Sequence, residues 1–187
     1  MNLTAIVLAA GKASRFGGDK LSAKFRGEPL LAHAIRAARA APVTRVILVC
    51  PPAFDNGLWP DLEAVRIASP ELSASLKAGI AAAADADGAF IFLGDMPLVP
   101  HGIAAQLAAI LGENFAALPR WRGKPGHPVL LSARAFPEIA NLAGDEGAGK
   151  LLKARKDVAF VETADEGVLL DIDRAEDIAR LENLGGA

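Results

Sequence analysis

The stretch that decides the fold is LTAIVLAAGKASRFGGDK, residues 3–20, in which an apolar run leads directly into a glycine-rich loop. Residues 3–8 have the apolar, partly β-branched character of a buried strand. Glycines allow the backbone amides of the loop to turn toward a phosphate group. Ligands of open α/β sheets collect at the carboxyl ends of strands, so the loop's cations, Arg15 and Lys20, stand where we expect a phosphate site.

Other interpretations of this loop fit less well. A flexible surface turn would also use glycines, but the position directly after the first strand favours a binding loop. No Gly-Lys-Ser/Thr ends the loop, which excludes a Walker A motif, and Ala13 replaces the second glycine of a dinucleotide fingerprint. A dehydrogenase would also need an acidic ribose ligand at a set distance, and none follows. The loop therefore indicates another design for holding a triphosphate.

The rest of the chain alternates strand-like and helix-like patterns, which predicts an α/β fold: a single Rossmann-like three-layer α/β/α domain with a mostly parallel mixed sheet. Further strands are predicted at 45–50, 89–93 and 129–131. Helices are predicted at 30–41, 76–84, 103–111, 148–155 and 175–184. Ser73 and Ser75 stand where a hydroxyl would cap the second of these helices.

Composition limits the class of protein. The chain has 187 residues and is 52% hydrophobic, which predicts one domain over 1–187, with a nucleotide-binding half at about 1–100 and an acceptor-binding half at about 101–187. A formal charge of -2 gives no global attraction for nucleic acid or an anionic membrane. The apolar N-terminal run lacks the features of a signal peptide or a membrane span, and the one cysteine, Cys50, fits a cytoplasmic location.

The sequence FLGDMP, residues 92–97, places Asp95 just past the end of a predicted strand, which Pro97 prevents from continuing. A carboxylate there points into the crevice at the carboxyl edge of the sheet. Capping of the following helix is the weaker explanation, because Pro97 intervenes. Oxygen ligands of this kind suit Mg²⁺ bound together with substrate phosphates, so Asp95 is predicted to be a magnesium ligand.

A second acidic motif is LLDIDRAED, residues 169–177. Asp171 and Asp173 alternate with Ile172 on a predicted strand end, so they should share one face and can complete a metal site. Asp173 and Glu176 also have capping-box spacing ahead of the last helix. Both roles stay open for Asp173, and Asp171 is the weaker metal candidate.

Two glycine-bearing loops complete the candidate site: RGKPGHPVLL, residues 122–131, and GDEGAG, residues 144–149. We expect them on the acceptor side. The histidines lack metal-ligand spacing, so a structural hydrogen bond is favoured for His127 over a role as a catalytic base. The chain has no Gly-x-Ser-x-Gly elbow and no Cys-His arrangement, so the implied chemistry is electrostatic.

With these motifs in order, the sequence resembles the MobA-like nucleotidyltransferases, and among them the molybdenum cofactor cytidylyltransferases, over nearly its whole length. The loop at 8–20 is similar to the family's LAAG-x-x-S-R-F/M-G-x-x-K signature, LSASLKAGI at 72–80 to its nucleoside loop, and LGDMPLV at 93–99 to its metal motif. The three motifs at 122–131, 144–149 and 169–177 follow in the family's order.

The resemblance implies a nucleotide-diphospho-sugar transferase type of fold and a set of binding residues. Nucleotide binding falls to Leu8, Ala9, Ala10, Gly11, Ser14, Arg15, Lys20 and Ser75, with Arg15, Lys20 and Asp95 as the catalytic groups. Mg²⁺ would be held by Asp95 with Asp173 or Asp171. Acceptor binding falls to Gly126, His127 and Asp145, although His127 replaces a frequent asparagine and Gly149 a frequent arginine, which leaves the acceptor open.

The implied reaction transfers CMP from CTP to a phosphorylated acceptor such as molybdopterin or molybdenum cofactor. A molybdoenzyme or its maturation chaperone is an implied partner. The alternatives are a GTP-dependent guanylyltransferase, a sugar-phosphate nucleotidyltransferase, and a nucleotide-binding chaperone without catalysis. LAAG rather than LAGG at residues 8–11 favours CTP, and the presence of Arg15, Lys20 and Asp95 argues against the chaperone.

Overall fold

The computed structural model describes residues 1–11, 16–55 and 57–185. Within them, the strands are β1 (Leu3–Leu8), β2 (Lys24–Phe25), β3 (Glu28–Pro29), β4 (Arg45–Cys50), β5 (Glu63–Arg66), β6 (Gly88–Leu93), β7 (Ala116–Trp121), β8 (Lys124–Pro125), β9 (Val129–Ser132) and β10 (Val158–Glu162). The α-helices are α1 (Leu30–Arg39), α2 (Leu72–Ala82), α3 (Ile103–Leu111), α4 (Phe136–Ile139), α5 (Ala148–Leu152) and α6 (Ala175–Glu182). Among the described residues, none of the helices combines the length and apolarity needed to cross a membrane.

One sheet forms the centre of the molecule. Its strands lie in the order β10-β7-β9-β6-β1-β4-β5, and β8 pairs with β7 outside this path. Strand β9 runs antiparallel to both of its neighbours, and β8 is antiparallel to β7, whereas the other pairs are parallel. The predicted α/β class with a mostly parallel mixed sheet is confirmed.

The two faces of the sheet are covered by different helices, as the alternation along β1 shows. Leu3, Ala5 and Val7 pack into the cluster formed with α1 and α3, whereas Ile6 and Leu8 pack into the cluster formed with α2, α4 and α5. Because successive side chains of a strand point to opposite faces, a strand that is buried throughout needs helices on both sides. The result is the three-layer α/β/α arrangement.

A smaller apolar cluster fixes the last part of the chain against the first. Phe25 and Leu30, at the β2–β3 hairpin and the start of α1, pack with Ile172 and with Leu181 of α6, and all four are fully buried. The backbone N–H of Ile172 also donates to the carbonyl of Asp95, at 3.0 Å. The segment around Ile172 is therefore held beside the end of β6.

The predicted hydroxyl cap of α2 is wrong. The helix begins at Leu72, not at residue 76, so Ser73 and Ser75 lie inside its first turn, and the residue at the cap position, Glu71, makes no side-chain hydrogen bond. The Ser75 hydroxyl instead donates to the carbonyl of Glu71, at 3.2 Å. Apolar periodicity located the helix, but it did not indicate the extra first turn.

The predicted capping box of α6 is displaced by one residue, and the strand expected before it does not form. Residues 166–169 form a 3₁₀-helix, followed by extended chain. The carboxylate of Asp177, not of Glu176, accepts from the backbone N–H of Asp173 at 3.0 Å and of Arg174 at 2.8 Å. The cap thus uses the backbone of Asp173, whose carboxylate points elsewhere.

Candidate active site

Three adjacent parallel strands end together at one edge of the sheet. Leu8 at the end of β1 lies opposite Val49 of β4 and Leu93 of β6. Backbone hydrogen bonds continue past the strand ends, since the N–H of Ala9 donates to Val49 at 2.8 Å and that of Gly94 donates to Leu8 at 3.0 Å. The segments that follow these strands therefore converge at the carboxyl edge, where α/β proteins bind ligands.

Three carboxylates meet at this edge. Asp95 follows β6, and Asp171 and Asp173 flank the buried Ile172, so that one oxygen of each carboxylate lies within 4.8 Å of the others. The two later aspartates do share one face, as the sequence pattern predicted, although the chain there is extended and not part of the sheet.

The ammonium group of Lys20 lies among these carboxylates. Its Nζ is 2.7 Å from Oδ2 of Asp95 and 3.6 Å from Oδ1 of Asp173, and only 11% of the lysine side chain is exposed. Burial, together with the charges of Asp173 and Asp95, raises the pKa of the Asp171 carboxyl above its ordinary value. Carboxylate oxygens are the ligands that divalent cations such as Mg²⁺ and Mn²⁺ accept. The donor set fits a divalent cation.

A cleft of about 250 Å³ opens beside the cluster, and we call it the Lys20 cleft. Its lining combines strand ends, the charged cluster and an aromatic ring: Leu8, Ala9, Gly11, Asp19, Lys20, Leu21, Pro51, Phe54, Asp95 and Asp173.

The residues predicted to bind the nucleotide fall into three groups: those that line the Lys20 cleft, those that are buried, and those outside the described residues. Leu8, Ala9, Gly11 and Lys20 line the Lys20 cleft. Ala10 is buried in the cluster beneath α2, and Ser75 is 2% exposed. The predictions for Ser14 and Arg15 concern positions outside the described residues.

A second cleft of about 300 Å³ shares Leu8 with the first and lies on the α2 side of the sheet; we call it the His127 cleft. Its walls are mainly apolar, with two basic side chains: Leu8, Leu72, Leu76, Ile91, Leu93, Leu118, Pro125, Gly126, His127, Val129, Gly147, Ala148, Gly149 and Lys150. Two of the predicted acceptor residues, Gly126 and His127, are therefore in its lining. Asp145, the third, is exposed in the turn before α5.

The His127 side chain is neutral at pH 7. Desolvation on burial is the main effect and lowers the pKa of the imidazole, against the smaller opposing effects of the Ile91 carbonyl and the charge of Asp95. Nδ1 lies 3.5 Å from the Ile91 carbonyl oxygen, which can only accept, so Nδ1 carries the proton and Nε2 is left as an acceptor. The structural hydrogen bond expected from the sequence is present.

Backbone contacts fix the position of His127. Its N–H donates to the carbonyl of Val168 at 2.8 Å, and the preceding N–H, of Gly126, donates to Pro119 at 2.9 Å. A Cβ at Gly126 would lie 2.3 Å from the Val168 carbonyl oxygen, far inside contact distance. Glycine at this position therefore permits the close approach that places His127 in the cleft wall.

Several lining residues were missed in the sequence. Pro51 and Phe54 line the Lys20 cleft, and Leu72 and Lys150 line the His127 cleft. Pro51 directly follows β4, so the strand-end rule that identified Asp95 would have found it too. Leu72 begins the stretch at 72–80 that resembles the nucleoside loop, although it was not singled out there. For Phe54 and Lys150, the sequence carries no comparable signal, because their positions depend on how loops and helix starts pack.

A Rossmann-like sheet with a largely buried lysine among carboxylates at its carboxyl edge is the arrangement expected of a nucleotide-binding α/β protein. Residues 5–158 match the MobA-like NTP transferase domain, and the chain belongs to that family. It is thus a nucleotidyltransferase, of a class that binds a nucleoside triphosphate and a phosphorylated acceptor, and its fold is of the nucleotide-diphospho-sugar transferase type.

Individual relatives cover almost the whole chain. The purine catabolism protein PucB of Bacillus subtilis is 30% identical over 94% of this chain and 93% of its own length. A molybdenum cofactor guanylyltransferase of Cereibacter sphaeroides is 33% identical over 98% of this chain and 97% of its own. Among solved structures, Rv0371c of Mycobacterium tuberculosis is 27% identical, with a TM-score of 0.85 and 98% of each chain covered. Its complex with manganese gives a TM-score of 0.82 at 26% identity, over 98% of this chain and 99% of that one.

Proposed function

We propose that the protein is a Mg²⁺-dependent nucleotidyltransferase that transfers CMP from CTP to a phosphorylated acceptor, molybdopterin or molybdenum cofactor, and releases pyrophosphate. The observation that carries the proposal is the Lys20 ammonium held among Asp95, Asp171 and Asp173 at the carboxyl ends of β1 and β6. Phosphoryl chemistry needs positive charge and metal ligands at one point, and these residues supply both.

In the proposed reaction, an oxygen of the acceptor phosphate forms a bond to the α-phosphorus of CTP, and the bond from that phosphorus to the bridging oxygen breaks as pyrophosphate leaves. Lys20 donates to the phosphate oxygens on which negative charge grows. An acceptor phosphate that is already ionised needs no strong base, which agrees with His127, whose lowered pKa makes it a weaker base than an ordinary imidazole. Asp95, with Asp173 or Asp171, would hold Mg²⁺, which when bound neutralises phosphate charge.

The two clefts suggest how the substrates divide. The nucleotide would occupy the Lys20 cleft against Leu8, Ala9 and Gly11, with Ala10, Ser14, Arg15 and Ser75 retained as predicted contacts. The acceptor would occupy the His127 cleft, with Gly126 and His127 in its wall and Asp145 at its margin. Because the clefts share Leu8, the two reacting phosphates would meet at the end of β1. Most of the lining of the Lys20 cleft comes from the proposed nucleotide-binding half at about 1–100, whereas residues of both this half and the acceptor-binding half at about 101–187 line the His127 cleft.

Transfer of GMP from GTP is the second candidate. It is favoured by the names of relatives, among them the guanylyltransferase of Cereibacter sphaeroides. We favour CTP because residues 8–11 read LAAG and not the LAGG of the guanylyltransferase pattern. If the protein does not use molybdopterin, its acceptor would be a sugar phosphate, or it would bind nucleotide without catalysis.

The test is pyrophosphate release from CTP, GTP, ATP and UTP with Mg²⁺, each with and without molybdopterin or molybdenum cofactor. We expect release that depends on both CTP and acceptor, and a loss in kcat on the order of a hundredfold or more in Lys20→Ala. Pyrophosphate release that depends on GTP instead of CTP would identify the protein as a guanylyltransferase. Nucleotide binding without release from any nucleotide would contradict the proposed reaction.

The cellular setting is also part of the proposal. Cys50 is buried and unpaired, which fits the reducing cytoplasm. Molybdenum cofactor biosynthesis would bring the product to a molybdoenzyme or its maturation chaperone.

A further inference from the structure

Lys20 and a divalent cation would compete for the same oxygens. The Lys20 Nζ lies 2.7 Å from Oδ2 of Asp95 and 3.6 Å from Oδ1 of Asp173. The three carboxylates of the cluster have ligand oxygens within 4.8 Å of one another, so a cation bound by all three would lie directly beside the ammonium. Two positive charges at that distance repel each other, and the Lys20 side chain, at 11% exposure, is only partly screened by water.

Backbone hydrogen bonds hold the segment around Lys20, so the repulsion is more easily relieved by the lysine side chain than by the loop. The carbonyl of Lys20 accepts from the N–H of Ala23 at 3.2 Å, and the next carbonyl, of Leu21, accepts from Leu31 at the start of α1, at 3.1 Å. The long lysine side chain is the part that can reorient. It lines the Lys20 cleft, so an anion bound there would offer the ammonium a new partner.

We infer that Lys20 excludes free divalent metal from the carboxylate cluster and admits it only together with the nucleotide, whose phosphates take over the ammonium. The inference rests on the proposed function and specifies its substrate: the protein binds the metal–nucleotide complex and does not first bind metal. Lys20 is then a positioning residue for the metal as well as a phosphate ligand.

This arrangement predicts that removing the Lys20 charge has opposite effects on the affinity for metal in the absence and in the presence of nucleotide. Without nucleotide, removing the ammonium releases Asp95 from its 2.7 Å ion pair and removes a repelling charge, so the affinity for metal rises. With nucleotide, the same removal deletes a phosphate partner, so the affinity for metal falls. A lysine that only holds the fold together, or only binds phosphate, would not reverse the sign.

The experiment measures Mn²⁺ binding by electron paramagnetic resonance, with and without a non-hydrolysable CTP analogue and, separately, the GTP analogue. The variants are Lys20→Gln and Lys20→Met, two uncharged side chains that differ in polarity. We expect both to bind Mn²⁺ on the order of tenfold more tightly than the unaltered protein when nucleotide is absent, and less tightly when it is present. Unfolding transitions of each variant establish that it is folded.

Two control variants test whether the change in Mn²⁺ affinity comes from the Lys20 charge beside Asp95. Lys24→Gln removes the same charge from a nearby exposed position and should leave Mn²⁺ binding unchanged. Asp95→Asn combined with Lys20→Gln should abolish the gain. Unchanged or weaker Mn²⁺ binding by folded Lys20 variants without nucleotide would overturn the inference, and so would a gain that survives loss of Asp95. The metal-only arm uses no nucleotide, so its result is separate from whether CMP transfer occurs.

Discussion

Lys20 and Asp95 are 75 positions apart in the chain, yet they form a 2.7 Å ion pair because the strands that precede them, β1 and β6, are adjacent and parallel. Each residue was predicted singly from its place after a strand. Their contact was not predicted, because periodicity gives no direction for a side chain in a loop. The role of Asp173 was open for a similar reason, and it was resolved in part when Asp177 proved to provide the cap of α6.

At the residue scale, the neutral state of His127 has a consequence for stability. Its pKa is lower in the folded protein than in the unfolded chain, where it is about 6.5. As pH falls through 6.5, the unfolded chain takes up a proton that the folded protein does not, so the free energy of unfolding falls, by at most about 1.4 kcal/mol per pH unit. Urea unfolding of the unaltered protein and of His127→Gln between pH 7 and pH 5 measures this contribution.

The His127→Gln variant should show a smaller loss of stability over that range than the unaltered protein. His101→Gln provides the control, because it makes the same substitution at an exposed histidine. Equal slopes for the unaltered protein and the His127 variant would contradict a buried neutral imidazole.

At the scale of elements, the loop before β9 depends on the absence of a side chain at Gly126. A Cβ there would lie 2.3 Å from the backbone carbonyl of Val168. We expect Gly126→Ala to lower the free energy of unfolding by about 1–3 kcal/mol, because backbone must move. Gly149→Ala is a control in the same cleft, with nothing within 4 Å of its added Cβ; because Gly149 lies in α5, the substitution should leave stability unchanged or raise it by up to about 1 kcal/mol. Similar effects of the two substitutions in urea unfolding would refute the proposed role of the close approach.

The start of α6 gives a second prediction at this scale. Asp177 accepts from two backbone amides, and the Arg174 amide is the main reason why the pKa of its carboxyl is below the ordinary value. Asp177→Ala should cost about 1 kcal/mol of stability, as the loss of a helix cap does. Glu176→Ala tests the position that the sequence pattern favoured, and it should have a clearly smaller effect. Thermal unfolding that ranks the two variants the other way would restore the original capping box.

At the scale of the whole molecule, the buried central strands of the sheet were predicted from the sequence, and the strands at its edges were missed. Strands β1, β4, β6 and β9 are continuous apolar runs, so their positions were predicted closely. Strands β5 and β10 form the two edges of the sheet and carry charged residues, which hides their pattern. Strand β7 contains Pro119, which lies beyond the part of the strand that pairs with β9, since that pairing covers only Ala116 and Ala117.

The candidate site was also predictable only in part: single residues could be located from the sequence, but the clefts could not. Strand ends identified Asp95 and the loop that carries Lys20, and alternation identified the shared face of Asp171 and Asp173. The two clefts were not predictable, because their walls combine strand ends with α2, α5 and loops that come together only in the tertiary structure. The central claim is that the carboxyl edge of the sheet is a metal-dependent nucleotidyl-transfer site.

The most direct test of that claim is the rate of pyrophosphate release by Asp95→Asn, with CTP, acceptor and Mg²⁺ at saturating concentrations. The substitution keeps the shape of the side chain and removes its charge, so a folded variant should lose kcat on the order of a hundredfold or more. A folded Asp95→Asn variant that releases pyrophosphate at the rate of the unaltered protein would contradict the account.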